Sequence, residues 1–479
     1  MPERSSRTPP IAGEARAQYL PLFTLAMGFI MAMLDVTVVN VALSNISVQL
    51  QVPLSGLVWV VDGYTLTFAA MLLVGGGLAD RFGARAVYQA GLAVFVLASV
   101  LCGVAPSGTV LVVARFLQGV GAALFMPSSL SLLTRAYPDD HVRARMLALW
   151  SAIVSVAGAS GPFVGGVLIE LFGWRSIFLI NLPIGLIGLA MAQRAIPRSS
   201  RQSRALNMDS HILGITALGA LSFVLIEGPV HGWTALPILG AAALMLISAA
   251  GFVFRQRTSS HPLLPRDLFA TSRFPAANGL GFLINFGGYG QFFLLSLYLQ
   301  QARGATPLQA GTQLVPAMAM FTLGNLAASS VLARLGPRGT LMTSMALSGV
   351  AATVTAGVLT PQTDYWVFIG LVCVVNLGIG VSVPSMTAVV MQVAGQSYAN
   401  IAAACLNANR QIGVLVGVAV MGTILHLFAD WGGALPVAYG TMAAVYFMAT
   451  ALVWRYLRGG DDGRVRTASG AARASAPCR

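Results

Sequence analysis

Long apolar runs recur along almost the whole chain, and each is long enough to cross a lipid bilayer as a helix. A helix needs about 20 mostly apolar residues to span the hydrocarbon core. Fourteen such runs lie between Tyr19 and Leu457. We therefore predict an all-α polytopic membrane protein with fourteen transmembrane helices. The predicted spans are 19–43, 55–78, 86–105, 108–134, 145–171, 175–193, 210–227, 234–254, 274–301, 308–333, 339–360, 364–391, 400–428 and 434–457.

The composition agrees with lipid as the main solvent of this chain. Of its 479 residues, 56% are hydrophobic and 9% are charged, whereas soluble domains carry about 25% charged residues. This excludes a water-soluble enzyme, a nucleic-acid-binding module and a disordered protein. The net charge is +13, but the basic residues, all of them Arg, are spread along the chain. We therefore expect the lipid bilayer as a partner, and no nucleic acid.

The distribution of Arg predicts the orientation in the membrane. Of the 28 Arg, 24 lie in the two tails or in connections that follow even-numbered spans. Because cytoplasmic loops are enriched in basic residues, this places both termini in the cytoplasm of a multi-pass inner-membrane protein. The first run is no signal peptide, since it is long, carries Asp35 and lacks a cleavage site. The polar segments 1–18 and 458–479 are predicted to be disordered cytoplasmic tails.

Two sequence echoes indicate that the chain contains a repeat. The pattern Arg-x-Gly-x-Arg occurs at 81–85 and again at 334–338, an offset of 253 residues. Gly121 followed by Pro127 recurs as Gly378 followed by Pro384, an offset of 257. Such repeats are typical of secondary transporters, which hold substrate between their halves.

The repeat predicts two related six-helix bundles. The N-terminal bundle would occupy 19–193 and the C-terminal bundle 274–457. Cytoplasmic linkers and two inserted transmembrane helices would occupy 194–273.

Four motifs then resemble a known family. Residues 76–85, GGLADRFGAR, resemble the loop signature of the major facilitator superfamily. Residues 34–43 (LDVTVVNVAL), 161–166 (GPFVGG) and 174–185 (WRSIFLINLPIG) resemble the first-span, fifth-span and sixth-span motifs of its fourteen-span drug:proton antiporters. The sequence departs from these motifs at Ala84, Ala157 and Ala333.

The resemblance implies the major facilitator fold and export of amphipathic compounds in exchange for protons by alternating access. It implies no cofactor besides the proton gradient. A dedicated exporter of one endogenous metabolite or self-made antibiotic is the alternative, and a membrane-embedded enzyme or receptor is a remote one. No metal-site spacing, catalytic constellation or phosphate-binding loop occurs in the sequence, so we expect no enzyme. A periplasmic adaptor as a further partner stays open.

Few ionisable residues lie inside the predicted spans, where they are costly and usually functional. Asp35 lies in the first span, and desolvation would favour its neutral form, so it could exchange protons or attract a cationic substrate. Alternatively it is a polar anchor bonded to Thr37 or Asn40. The resemblance implies that Asp35 takes part in coupling.

Three more polar residues complete the predicted coupling site. Asp62 is either a second acid on the proton or substrate route or an interfacial residue in contact with water. Arg115, in a segment that matches the family's fourth-span motif, needs a counter-charge, and an acid of the first two spans is the natural partner. Gln118 is its polar neighbour. The alternative for Arg115 is a structural cation capped by carbonyls.

Asp80, Arg81, Gly83 and Arg85 lie in the loop after the second span. We expect them to form a cytoplasmic gate, a latch that breaks and re-forms as the halves rock. The alternative is a charged loop without such a role.

Gly161, Pro162, Gly165 and Gly166 form the small-residue face of the antiporter motif. Close helix packing explains this face fully, while a role in preventing proton leak comes from the resemblance alone.

Several polar residues are candidates for a mixed-polarity substrate cavity, namely Asn40, Glu227, Asn285, Tyr289, Asn407 and Arg410. Helix packing explains those of the ninth span, Asn285 and Tyr289, equally well. The alternative for Asn407 and Arg410 is a hydrogen-bond cluster at the cytoplasmic end of their span. Glu227 would either attract cations or be merely exposed.

Overall fold

The computed structural model describes residues 12–196, 208–259, 264–270, 272–428 and 430–457. Helices account for nearly all of these residues. The helices are α1 (Ala12–Leu50), α2 (Leu54–Phe82), α3 (Ala84–Gly103), α4 (Gly108–Ala136), α5 (Asp140–Phe172), α6 (Ser176–Leu179), α7 (Asn181–Ala195), α8 (Met208–His231), α9 (Leu236–Thr258), α10 (Arg266–Phe269), α11 (Arg273–Leu297), α12 (Pro307–Val358), α13 (Tyr365–Leu427) and α14 (Trp431–Tyr456). A π-helical turn, Tyr298–Ala302, extends α11.

The helices provide the fourteen expected spans within the described ranges. Thirteen helical segments are long and apolar enough to cross a membrane, and one of them, Pro307–Val358, has 52 residues. Its backbone leaves the helical region at Gly336, where φ is 68°, so α12 contains two spans. A similar break at Gly395 divides α13. The sixth span combines α6 and α7, which are separated at Ile180.

The structure corrects the predicted N-terminal tail. Residues 12–18 belong to α1, although their polar composition predicts disorder. The segment contains Ala, Glu, Arg and Gln, which are good helix formers, and a helix that is already nucleated by the first span extends into it cheaply. Residues 1–11 and 458–479 lie outside the described residues, as does part of the linker that follows α7.

We call the two ends of the bundle the Arg-rich end and the Arg-poor end. The Arg-rich end carries the α2–α3 turn, the α4–α5 loop and the breaks at Gly336 and Gly395. The Arg-poor end carries the opposite connections. Polar N-caps begin four helices at the Arg-poor end, where each side chain accepts a hydrogen bond from the first turn. These caps are Ser107, Thr306, Asp364 and Asp430.

The two halves of the chain repeat the same packing. A Cβ on Gly121 would lie 2.8 Å from the carbonyl oxygen of Gly91, one span earlier. A Cβ on Gly378 would lie 2.5 Å from the carbonyl oxygen of Ser344. Residues 91 and 344 are 253 apart, which is the offset of the Arg-x-Gly-x-Arg repeat. The sequence echoes therefore mark equivalent close approaches of helices.

The inserted helices α8 and α9 form a hairpin beside one of the two seams between the halves. α8 packs against α2 and α13, and α9 packs mainly against α8. The hydroxyl of Thr423, on α13, donates to the carbonyl of Leu225, on α8. Most of α9 is exposed, so its outer face is available to lipid. Within the described ranges, no helix covers the second seam, between α5 and α12, in this way.

The halves meet at the Arg-poor end. Ser296 Oγ of α11 donates to the carbonyl of Asn40 on α1 at 2.7 Å, and Gln300 Nε2 donates to the carbonyl of Val41 at 2.9 Å. Near the Arg-rich end α5 is much less buried: between residues 145 and 156, Met146 is its one buried side chain. We infer from this exposure that the halves are farther apart at the Arg-rich end.

Candidate functional site

A buried charge network links five elements of the first half. Arg115 Nη1 on α4 donates to Asp35 Oδ2 on α1, and Gln118 Nε2 donates to Asp35 Oδ1 at 3.0 Å. Arg115 Nη1 also donates to Gln118 Oε1 at 2.7 Å. Gln118 and Arg115 are three residues apart, which places both side chains on one face of α4. The structure thus brings three of the four predicted coupling residues into one cluster.

The surroundings of Arg115 complete its coordination. Its Nε donates to the carbonyl of Val60 on α2 at 2.8 Å. Its guanidinium lies over the ring of Tyr64, 4.6 Å from the centroid, and 5.9 Å from that of Phe178. Only 1% of Arg115 is exposed. A buried cation needs such pairing because desolvation is expensive.

A second layer of polar contacts fixes Gln118. Its Nε2 donates to Ser99 Oγ on α3 at 2.8 Å, and Asn181 Nδ2 on α7 donates to the same oxygen at 3.3 Å. Sequence reasoning missed Ser99 and Asn181. A polar residue in an otherwise apolar span, as Ser99 is in the third, was the available signal.

The alternative interpretation, in which Asp35 is a polar anchor bonded to Thr37 or Asn40, does not match the observed hydrogen bonds. Thr37 Oγ1 donates to the carbonyl of Met33, and Asn40 Nδ2 donates to the carbonyl of Val36. Both side chains thus bond to the backbone of α1, while the oxygens of Asp35 bond to Arg115 and Gln118 on α4.

Asp62 lies apart from this network. It is fully buried on α2, and neither of its carboxyl oxygens has a hydrogen-bond partner among the described residues. Burying an ionised carboxylate in this way is very costly. Its burial also rules out the alternative of an interfacial residue in contact with water.

A cleft lies between the halves, next to the network. In this conformation the cleft is narrow, with room for about one water molecule. Helices α1, α2 and α4 contribute to it from the first half, and α11 and α13 from the second. The residues that line it are Val36, Val39, Asn40, Val61, Tyr64, Thr65, Arg115, Tyr289, Val414 and Val418. Apolar walls with a few polar groups suit an amphipathic ligand.

Of the other predicted cavity residues, Arg410 lies near this cleft without lining it. It is four residues before Val414 on α13 and within electrostatic range of Tyr289. Asn285 lies one turn before Tyr289 on α11, and its Nδ2 donates to the carbonyl of Gly281. Asn407 is exposed.

Glu227 does not line the cleft, which corrects its assignment to the cavity. Its Oε1 accepts a hydrogen bond from Trp59 Nε1 at 2.7 Å, and its Oε2 lies 3.3 Å from His231 Nδ1. The bond from Trp59 fastens α8 to α2, whereas the contact with His231 lies within α8. Sequence reasoning treated Trp59 and Glu227 separately because they are 168 residues apart.

The predicted gate residues surround the turn between α2 and α3. Gly83 has φ 94°, and its N–H donates to the carbonyl of Ala79. Arg85 Nη2 donates to the carbonyl of Gln193 at the end of α7. The guanidinium of Arg81 lies near the ring of Phe82. Asp80 is half-buried at the end of α2.

The second half contains an equivalent arrangement. Arg338 Nη2 donates to the carbonyl of Trp454 near the end of α14. In both halves, therefore, the last Arg of the repeat reaches the final helix of its own bundle.

The glycines of the antiporter motif pack on both sides of α5. A Cβ on Gly165 would lie 2.8 Å from Val38 Cγ1 on α1, and one on Gly166 would lie 2.8 Å from the carbonyl oxygen of Pro307 on α12. Gly161 faces Thr37, and Gly311 of α12 faces the carbonyl of Pro162. The small-residue face thus joins α5 both to its own half and to the opposite half.

Comparisons with known proteins agree with this architecture. The sequence profile of the Major Facilitator Superfamily matches residues 25–272 and 277–477. A methylenomycin A resistance protein of Bacillus subtilis is 49% identical over 436 residues, which cover 91% of this chain and 94% of the relative. A protein of the same name from Streptomyces coelicolor is 47% identical over 433 residues, or 90% and 91% of the two chains.

More distant matches extend the pattern. The multidrug resistance protein Stp of Mycobacterium tuberculosis is 33% identical over 414 residues, 86% of this chain and 76% of the relative. The crystal structure of an auto-inhibited POT family peptide transporter superposes with a TM-score of 0.68 at 16% identity, covering 94% and 98% of the two chains. That similarity shows a shared fold. The chain is therefore a multi-pass membrane transporter that belongs to the major facilitator superfamily.

Proposed function

We propose that this protein exports amphipathic antimicrobial compounds from the cytoplasm in exchange for protons. The observation that carries the proposal is the buried Asp35–Arg115–Gln118 network, whose Arg115 also lines the cleft between the halves. A carboxylate inside a membrane span is costly, and such residues usually belong to a proton or substrate pathway. The names of the relatives, which refer to drug and antibiotic resistance, support export as the direction.

In the proposed mechanism, Asp35 is bound either by Arg115 and Gln118 or by a proton. When ionised it is held by Arg115 and Gln118, which donate hydrogen bonds to its two carboxyl oxygens. Binding of a proton removes the attraction of Arg115 and releases α1 from α4, which biases the halves toward the other conformation. Asp62, buried without a partner, is proposed as a second proton-binding group.

The proposal assigns the Arg-rich end to the cytoplasm and both termini to the same side of the inner membrane. The structure then corresponds to the inward-facing conformation, because the halves are closed at the Arg-poor end. Gly83 and the arginines on either side of it form the proposed cytoplasmic gate, which would close when the Arg-rich ends approach one another.

Inverted membrane vesicles with a respiration-generated pH gradient test proton exchange. Lipophilic cations, neutral amphiphiles and carboxylates are added in turn, and the gradient is followed with a fluorescent probe. We expect at least one class to collapse the gradient with the wild-type chain, and Asp35→Asn to abolish this. Asp209→Asn is the matched control, since Asp209 forms an exposed pair with Arg255, and such pairs contribute little.

Two outcomes contradict the proposal. One is a wild-type chain that exchanges protons for none of the compounds. The other is an Asp35→Asn variant that still exchanges them at the wild-type rate.

A dedicated exporter of one antibiotic is the second candidate. Two relatives at 49% and 47% identity both carry methylenomycin A resistance in their names. Expression in a drug-sensitive bacterium separates the two candidates. Protection against methylenomycin A alone favours the dedicated exporter, whereas protection against several unrelated compounds favours multidrug export.

A further inference from the structure

We propose that the cleft binds compounds that carry a carboxylate, and that Arg410 is the counter-ion of this carboxylate. The inference deepens the proposed function by naming a substrate class, and it rests on the cleft being the transport site. It depends on the second half of the molecule and not on the coupling network.

Arg410 lies where a substrate in the cleft can reach it. Residues 410, 414 and 418 share one face of α13 because they are four residues apart, and Val414 and Val418 line the cleft. At a rise of about 1.5 Å per residue, Arg410 is about 6 Å from Val414 along the helix axis. The displacement is toward the Arg-rich end, which is the open side of the cleft.

The charge of Arg410 is not balanced by the protein. No hydrogen bond or ion pair joins its guanidinium to another described residue, and its Nε is buried without a partner. Arg115 differs from Arg410 because its guanidinium donates hydrogen bonds to Asp35, to Gln118 and to the carbonyl of Val60.

The sequence of the second half offers no acid to Arg410. Between residues 274 and 457 the acidic residues are Asp364 and Asp430. Both cap helices at the Arg-poor end, where Asp364 accepts from the N–H of Trp366 and Asp430 from the N–H of Gly433. A cation without a counter-charge inside a span is energetically costly. A bound anion would lower this cost for Arg410, which no acidic side chain of the second half does.

The groups around Arg410 suit a carboxylate. Its stem passes over α11 at Gly281, where a Cβ would lie 3.3 Å from Arg410 Cγ. The hydroxyl of Tyr289 lies within electrostatic range and adds a donor on the cleft wall. A planar guanidinium donates two parallel hydrogen bonds to a carboxylate, and the valines above it receive an apolar body. The geometry thus fits an amphipathic monocarboxylate.

Matched probes that differ in charge alone test the proposal. Benzoate, 2-naphthoate and cyclopentanecarboxylate are each compared with the corresponding primary amide, and 2-naphthoate also with 2-naphthylmethylammonium. Binding is measured by thermal stabilisation of the purified full-length protein. The protein is held in phosphatidylcholine vesicles, so that no anionic lipid headgroup competes for Arg410.

We expect carboxylates to stabilise the protein and the amides and the ammonium compound to have little effect. Arg410→Gln should weaken carboxylate binding about tenfold or more, because a charge-assisted pair is lost. Arg410→Lys should retain part of the preference. Arg455→Gln, an exposed Arg at the end of α14, is the control for a lost positive charge. Tyr289→Phe is a milder variant and should weaken carboxylate binding several-fold without affecting the unliganded melting temperature.

The proposal is overturned if no carboxylate is preferred over its amide, or if Arg410→Gln keeps the preference. The vesicle assay separates this failure from that of the proposed function. Proton exchange driven by cations or neutral compounds alone would sustain the exporter and reject the carboxylate. Carboxylate binding through Arg410 without any proton exchange would support the carboxylate site and reject the proton-coupled exporter.

Discussion

Arg115 and Arg410 both lie inside spans, yet their surroundings differ. The first is paired with a carboxylate, an amide and a carbonyl, and two aromatic rings lie beside it. The second has an apolar wall above it and a phenol nearby. A buried charge is tolerated when it is paired. Arg115 is paired within the protein, which suits the proposed coupling network, whereas Arg410 would be paired by the proposed carboxylate ligand.

Gln118→Leu should slow transport. The substitution removes the hydrogen bond from Gln118 Nε2 to Asp35 Oδ1 and the one from Arg115 Nη1 to Gln118 Oε1. Hydrogen bonds to charged groups contribute about 1.5–3 kcal/mol, and about 1.4 kcal/mol corresponds to a tenfold change. We therefore expect the rate of exchange in vesicles to fall about tenfold or more.

Ser99→Ala is the control for this prediction. It removes the other hydrogen-bond acceptor of Gln118 but leaves the bond to Asp35. An unchanged exchange rate in Gln118→Leu, or an equal loss in Ser99→Ala, would show that the hydrogen bond to Asp35 does not contribute to exchange.

The sequence predicted part of this site. Lone charges in apolar spans identified Asp35 and Arg115, and the cost of an unpaired cation implied an acidic partner from the first two spans. It did not distinguish Asp35 from Asp62, because that choice depends on the angular positions of three helices. Nor did it pair Glu227 with Trp59, since no local pattern relates side chains 168 residues apart.

At the scale of elements, the two Arg-x-Gly-x-Arg turns have the same geometry. Gly83 and Gly336 both have positive φ, 94° and 68°, and the Arg two residues later reaches the last helix of the same bundle. Because L-residues rarely adopt such φ values, glycine between the two arginines is a backbone requirement in each half.

Gly83→Ala should destabilise the protein by about 1–3 kcal/mol, the usual cost of a residue held in an unfavourable backbone region. Thermal unfolding in detergent measures the change. Gly76→Ala is the matched control, because this glycine is helical and a Cβ there meets nothing within 4 Å. Equal melting temperatures for both variants would contradict the strain argument.

Gly166→Ala should separate α5 from α12 at the Arg-poor end. The new Cβ would lie 2.8 Å from the carbonyl oxygen of Pro307, a backbone atom that moves only with its helix. We expect transport to fall several-fold and thiol reagents to gain access to a cysteine placed at Ser296. Gly158→Ala, whose Cβ would have 4.0 Å to Met33 Cβ, should behave like the wild type. Full activity of Gly166→Ala would show that the seam tolerates separation.

Apolar runs predicted the number of spans because their length is set by the membrane thickness. They did not predict where a helix extends beyond its membrane-spanning segment. Residues 12–18 extend α1 without apolar character. This extension depends on backbone propensity, which hydropathy does not measure.

At the scale of the whole molecule, the seam between the halves is closed at one end and open at the other. Hydrogen bonds from α11 to the backbone of α1 close the Arg-poor end. The network and the cleft lie between this closure and the opening. A change in the charge of Asp35 can therefore act on the seam over a short distance.

Exchange of one monocarboxylate for one proton should be driven by the membrane potential as well as by the pH gradient. The outward anion and the inward proton together move two charges, at about 2.3 kcal/mol per charge per 100 mV. In proteoliposomes without a pH gradient, we expect a potassium–valinomycin potential to drive 2-naphthoate transport. Arg410→Gln should abolish this response.

The corresponding control is a cationic compound. Exchange of one monocation for one proton moves no net charge, so its rate should not respond to valinomycin. A 2-naphthoate flux that ignores the potential would contradict the predicted charge balance.

The hairpin of α8 and α9 makes the two lateral sides of the transporter unequal. It covers the seam between α2 and α13, while within the described ranges no further helix covers the seam between α5 and α12. One lateral face therefore consists of a helical hairpin in front of a seam, and the other consists of the two seam helices themselves.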